Sequence, residues 1–418
     1  MLKGEVFPVL LIAIMAFAFL QLPGGVRIND FLFIALAFLF TFLAGNLVEK
    51  VKVPWVFAAL LLGVMLAVWN PFSDITSSDV FLFLANLGMY FLLFVIGFEI
   101  DFGEMRSQGK FILGSTFAII LLEAALGTAF VHFVFGYDWF ISFIVALSFA
   151  TVGEAILIPI LDQFGIVNTP LGQLLIGIGT LDDIFEVSTL ILLVVVVGSQ
   201  THTHLDIGLV ILSLLSVFVL AYGLTRLRGE GRRFLFMDIE TIFLFTLFVL
   251  FLFLGLGEYA DSAPLAALMA GLALGNFLPK SRLRLIEREV KSLCYGFFAP
   301  IFFLWVGLSL DINYLLSAPL MVISVFLLSS GAKMLGSLLV SRGRMDVREG
   351  VMLGVGLSVR FSTSIIIIKI LFENGIIGTD LYSVIIASSI VFTLLIPLVF
   401  SNLISRWGYS GKKKKEVR

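Results

Sequence analysis

The chain has 418 residues, of which 60% are hydrophobic and only 13% charged; its mean hydropathy is +1.11. Water-soluble domains are about half apolar and a quarter charged, so this composition excludes a soluble enzyme, a disordered chain and a secreted disulfide scaffold. The formal net charge of -2 offers nucleic acid no basic excess. The single cysteine, Cys294, excludes an intrachain disulfide and a Cys-rich metal site.

What remains is an all-α polytopic membrane protein. A spanning helix needs about 20 mostly apolar residues. In chain order the predicted segments are 5–22, 30–48, 53–69, 79–100, 111–135, 139–162, 169–198, 206–225, 240–258, 263–277, 294–310, 314–341, 349–374 and 380–405. Residues 1–22 carry Lys3, an apolar run and Ala16-Phe17-Ala18, as a secretory signal would. The run is longer than a usual signal core, so an uncleaved helix is expected; cleavage would leave thirteen spans. The stretch 278–293 reads as a cytoplasmic loop too short to fold alone.

Charge placement tests this map. Alternate loops and both ends of the chain hold 23 of the cations, from Lys50 and Lys52 through Arg282 and Arg284 to the Lys412–Lys415 tail. The other loops hold only Arg27. By the positive-inside rule both termini are expected in the cytoplasm of a cell (inner) membrane. The basic tail 406–418 reads as an anchor beside anionic lipid.

The ionisable residues inside the spans carry the functional information, because each costs about 3 kcal/mol at the bilayer centre. They are Glu123, Glu154, Asp182, Asp183, Glu186, Lys333 and Arg360. Asp182 and Asp183 end the run Gly177-Ile178-Gly179-Thr180-Leu181-Asp182-Asp183. Adjacent helical residues diverge by about 100°, so one acid can meet an internal partner while the other faces a cavity. Glu186 lies three residues after Asp183, on nearly the same face. Two readings stand: a cation- or proton-binding carboxylate beside a structural one, or a pair neutralised by Lys333 and Arg360 that only holds the bundle. The first is favoured, because buried charge is a costly way to pack membrane helices. Lys333 serves as a proton carrier or a permanent counter-ion; Glu123 serves as a packing hydrogen bond or a second proton site.

Two segments are interrupted. Segment six contains Thr151-Val152-Gly153-Glu154, with Pro159 a turn later; segment thirteen contains Gly354-Val355-Gly356-Leu357-Ser358-Val359-Arg360. Interrupted helices in matching places of two halves point to a transporter site built at half-helix ends. Segments five to seven begin inside and twelve to fourteen outside, the opposite topologies an inverted repeat requires. Elsewhere, His202-x-His204 supplies too few ligands for a metal site, and Lys369 and Glu373 are expected to snorkel towards the outer surface.

Four stretches then carry a family likeness. They are Leu87-Gly88 through Leu92-Leu93-Phe94-Val95-Ile96-Gly97-Phe98-Glu99-Ile100-Asp101; Gly172-Gln173 leading to Asp182-Asp183; Leu265-Ala266-Ala267-Leu268-Met269-Ala270-Gly271-Leu272; and Phe302-Phe303-Leu304-Trp305-Val306-Gly307-Leu308-Ser309-Leu310-Asp311. In these the chain resembles the second family of monovalent cation:proton antiporters, that of glutathione-gated potassium efflux and related sodium/proton exchangers. The resemblance implies about 13–14 helices in an inverted-repeat fold with two crossed, discontinuous helices, here segments six and thirteen. Residues 1–29 would be an extra N-terminal helix and 30–405 the antiporter domain. Its core would be 111–198 and 314–405, and its dimerisation scaffold 30–100 and 206–310.

By the same resemblance Asp183 binds the ion and Asp182 pairs with Lys333, the pattern of electrogenic exchangers. Thr151 and Ser358 would add oxygens, which suit hard cations. Two departures stand out: Arg360-Phe361-Ser362 lacks the acid many relatives have there, and Glu154 adds one to the first broken helix. A Glu154–Arg360 pair across the crossing would account for both. The expected function is secondary, electrogenic Na⁺/H⁺ antiport, with proton and cation competing at Asp183. No enzyme activity or cofactor is expected, and the partners are cations, protons, the bilayer and a second copy of the chain. K⁺/H⁺ exchange or K⁺ efflux on the same fold is the alternative. An intramembrane aspartyl protease is more remote, since its two aspartates would have to face each other from different helices.

Overall fold

The computed structural model describes residues 29–407 except 52, 100–108, 154–156, 158, 159, 162, 163, 202–206, 227–236, 260, 261 and 361. The N-terminal segment, Glu154, the His202/His204 loop and the lysine tail therefore lie outside the described residues, as do the side chains of Asp183 and Glu186.

The described residues are helical almost throughout. The helices are α1 (Asp30–Val48), α2 (Phe57–Val68), α3 (Asp79–Glu99), α4 (Lys110–Phe130), α5 (Trp139–Phe149), α6 (Pro170–Thr201), α7 (Ile207–Arg226) and α8 (Ile239–Glu258). They continue with α9 (Ala263–Phe277), α10 (Lys280–Leu293), α11 (Ala299–Leu308), α12 (Pro319–Ser341), α13 (Val347–Leu357), α14 (Ser362–Glu373) and α15 (Thr379–Trp407). Among the described residues seven helices are long and apolar enough to cross a membrane, and shorter apolar helices lie between them. Ends are set by local chemistry. The Asn29 side chain accepts the Leu32 amide at 2.9 Å at the start of α1, and Asp346 and Glu349 form a reciprocal cap on α13.

Segments six and thirteen break as their composition predicts. α5 stops at Phe149, and 150–153 lie outside any helix; α13 stops at Leu357, and α14 begins at Ser362. One expectation is corrected. Residues 280–293 are not a loop but α10, which runs through a wide turn (Cys294–Phe298) into α11. Its spacing explains this: Ile286 and Val290 share one buried face, while Arg284, Arg288 and Lys291 fall elsewhere.

The helices pack as two groups. α1, α2, α3, α7, α8, α9, α10 and α11 pack on one another, and α4, α5, α6, α12, α13, α14 and α15 form the second group. The first is built on glycine. A Cβ on Gly271 of α9 would sit 2.1 Å from the Phe94 carbonyl of α3, and one on Gly97 would sit 2.2 Å from the Leu268 carbonyl. Between α2 and α11 a Cβ on Gly63 would lie 2.2 Å from the Leu304 carbonyl, and one on Gly307 would lie 2.4 Å from the Leu60 carbonyl. Lipid tails are as apolar as leucine, so membrane helices gain affinity by such close backbone approach.

Those contacts are backbone, so no rotamer change relieves an added side chain. Gly271→Val should lower the melting temperature of the detergent-solubilised protein, with an overpacking cost of about 1–3 kcal/mol. Gly255→Ala, where an added Cβ meets nothing within 4 Å, should leave it unchanged. Thermal unfolding followed by size-exclusion chromatography checks the pair.

Candidate functional site

The two broken segments meet backbone to backbone: the Gly153 amide donates to the Val359 carbonyl at 2.7 Å. A helix that stops leaves its last carbonyls without partners, and inside a membrane no bulk water replaces them. Lys333, midway along α12 and fully buried, answers both breaks. Its Nζ donates to the Thr151 carbonyl at 2.8 Å and to the Leu357 carbonyl at 2.6 Å. These carbonyls lie at the C-terminal ends of α5 and α13, where the helix dipole favours a cation.

The opposite charge sits where the chain re-enters. Asp182 on α6 is buried, and its Oδ2 accepts the Val152 amide at 2.5 Å. Its Oδ1 has no hydrogen-bond partner. The hydroxyls of Thr151 and Ser358 are buried and turned back on their own helices, donating to Ser148 O at 3.3 Å and Gly354 O at 2.8 Å. Each retains lone pairs that can accept or coordinate.

A second buried cluster adjoins the first. Glu123 of α4 accepts from the Arg360 guanidinium and from the Ser329 hydroxyl of α12, and Arg360 also contacts Ser329. The Arg360 guanidinium packs over the Phe392 ring at 4.2 Å and the Phe149 ring at 5.5 Å. Its carbonyl accepts the Thr393 hydroxyl at 2.9 Å. Lys333 Nζ lies 3.6 Å from the other Glu123 oxygen, so one carboxylate is shared by two cations.

Two expectations differ from what is observed, those for Lys333 and Lys369. Lys333 makes its ion pair with Glu123, whereas Asp182 is committed to the Val152 amide. Arg360 takes Glu123 as its acid; Glu154 lies outside the described residues. The physical reason is helix packing: α4 and α12 lie side by side, which brings Glu123, Ser329 and Lys333 to one interface. Lys369 does not snorkel; it is fully buried and bonded to Ser309 and Glu373. Ser329 was not singled out from sequence, although it lies four residues before Lys333 and so shares its helix face.

Among the described residues two carboxylates and two cations thus occupy the crossing, and their formal charges cancel. Removing one member strands another. Glu123→Gln should destabilise the protein by about 3–5 kcal/mol, because Arg360 is left buried without its acid. The Glu123→Gln/Arg360→Met double variant should lose less than the two singles summed. Chemical unfolding in detergent of all three variants measures the coupling.

The family model described as "Sodium/hydrogen exchanger, transmembrane" matches residues 6–405. A protein named probable Na⁺/H⁺ antiporter 3, from Methanocaldococcus jannaschii, is 25% identical over 382 residues, covering 87% of this chain and 93% of that protein. The Na⁺/H⁺-K⁺ antiporter GerN of Bacillus cereus is 23% identical over 370 residues, covering 87% and 93% respectively. Among solved structures, the sodium proton antiporter MjNhaP1 of M. jannaschii at pH 8 superposes with a TM-score of 0.62 at 19% identity, covering 91% of this chain and 96% of that one. At that identity the likeness concerns the fold.

Proposed function

We infer, from a chain that belongs to the sodium/hydrogen exchanger family and is therefore a membrane antiporter rather than an enzyme, that it exchanges Na⁺ for protons at the acids of α6. The observation that carries this reading is the crossing itself. Two half-helices end on one lysine, and the side chain of Asp182 lies against the re-entering chain. Such a site offers a cation partial charges and oxygens without a permanent metal cage.

In the proposed mechanism Asp183 takes a proton and a cation in turn. Each neutralises the carboxylate, so the two exclude each other, and that competition couples their fluxes. Asp182 is committed to the Val152 amide and holds α6 against the break. Thr151 and Ser358 offer hard oxygen ligands nearby. Lys333 keeps the broken ends neutralised while the site empties, and Glu123 with Arg360 and Ser329 fixes α4, α12 and the second break to one another. The helix group α4–α6 with α12–α15 is the moving core and the other group the scaffold, through which two copies pair in the cytoplasmic (inner) membrane with both termini inside. Alternating access follows from displacement of one group along the other.

K⁺ is the second reading. It rests on the K⁺ in the name of the Bacillus cereus relative; the Na⁺/H⁺ names of the other relatives favour sodium.

Proteoliposomes holding a pH-sensitive dye test the proposal. Na⁺ should drive a pH change that responds to a clamped membrane potential. Asp183→Asn should abolish it, while Asp182→Asn should lower thermal stability and slow exchange. Full exchange in Asp183→Asn would remove the site, and a K⁺ preference would select the second reading.

A further inference from the structure

A second buried cation lies away from the crossing. Lys369 sits on α14, about 10 Å along that helix from its start after the second break, and has no solvent exposure. Its Nζ donates to the Ser309 hydroxyl at 2.6 Å and to Glu373 Oε1 at 2.7 Å. It lies 3.8 Å from the centre of the Trp305 ring, 5.2 Å from Phe372 and 5.4 Å from Tyr382. A desolvated ammonium over aromatic faces is a strong, directional contact.

These partners come from different helix groups. Trp305 is in the last turn of α11 and Ser309 just follows it, in the first group; Lys369 and Phe372 on α14 and Tyr382 on α15 belong to the second. Two further bonds cross at the same end. The Tyr382 hydroxyl donates to the Val306 carbonyl at 2.8 Å, and the Ser383 hydroxyl accepts the Asp311 amide at 2.8 Å. The C-terminal end of α11 is thus bonded by side chains of the other group, and the buried ammonium also suits the negative end of its dipole. An ion pair that only stiffened α14 would need Glu373 alone; the bond to Ser309 and the Trp305 face do nothing for α14.

We propose that Lys369 is a positioning residue, a latch between the two helix groups whose bonds to Ser309 and Trp305 hold the conformation described here and break when the groups shift. The proposal rests on the reading that these groups move against each other. α14 begins at the second break, so it joins the latch mechanically to the crossing where Arg360 and Val359 lie.

Distances between the groups read the latch without reference to any ion. Spin labels at the exposed positions of Phe31→Cys on α1 and Leu320→Cys on α12 report on them, in a Cys294→Ala background, by double electron–electron resonance. Lys369→Met and Ser309→Ala should each raise the population at a second distance by roughly tenfold, the size expected for one charge-assisted hydrogen bond. Lys369→Arg, which keeps a cation over Trp305, should stay close to the parent. Unchanged distributions in folded Lys369→Met and Ser309→Ala overturn the latch; if Lys369→Met does not fold, Ser309→Ala alone decides. Dye-based exchange by the labelled parent separates the two readings. Exchange with unmoved distances overturns the latch and keeps the transport assignment; shifted distances without exchange keep the latch and overturn that assignment.

Discussion

The structure depends on a constraint at two interrupted helices. A peptide carbonyl that loses its helical partner inside a bilayer has no water to turn to, and here two helices stop at the same place. Lys333 bonds the carbonyls at both ends. A buried ammonium would itself be prohibitive without anions nearby, so Glu123 follows from Lys333. Arg360 and Ser329 in turn hold Glu123. The polar network is therefore one connected consequence of breaking two helices in an apolar medium.

The two helix groups solve the packing problem differently. Around Gly63, Gly97, Gly271 and Gly307 backbones touch backbones, which leaves little freedom to slide. The other group carries the breaks and the buried charges, joined by bonds that can be exchanged for others. The first, third and fourth stretches carrying the family likeness fall in the glycine-packed group, because close approach tolerates few residues. The likeness is thus mostly a signature of rigid packing, and of the charged machinery it reaches only the acids of α6.

The partial exposure of the helix groups' outer faces accords with a lipid environment: large apolar side chains such as Phe31, Leu244 and Leu320 point outward. Buried polar groups are ordinarily hydrogen-bonded, yet among the described residues Asp182 Oδ1, Glu123 Oε2 and Arg360 Nε at the crossing have no hydrogen-bond partner. A carboxylate oxygen left free beside a broken helix marks where the site departs from the demands of stability.

Hydropathy along the chain marked the apolar helices, seven of which among the described residues are long enough to cross a membrane, and Gly, Ser and Thr around one charge marked both breaks. The identities of the buried ions were legible for the same reason: an ionised side chain in an apolar run is conspicuous. Their partners were not. The resemblance pairs Lys333 with Asp182, whereas Glu123 lies against both Lys333 and Arg360 because α4 packs on α12, a neighbour relation without any sequence periodicity. The place of Lys369 near a helix end points to snorkelling, yet α11 and α15 cover it with Trp305 and Tyr382. The 280–293 stretch reads as a loop because its charges outweigh its apolar residues, although the spacing of Ile286 and Val290 places both on one helical face. Cost per residue is a local property and can be read along the chain; the choice of partner is a property of which helices touch, and only the tertiary structure decides it.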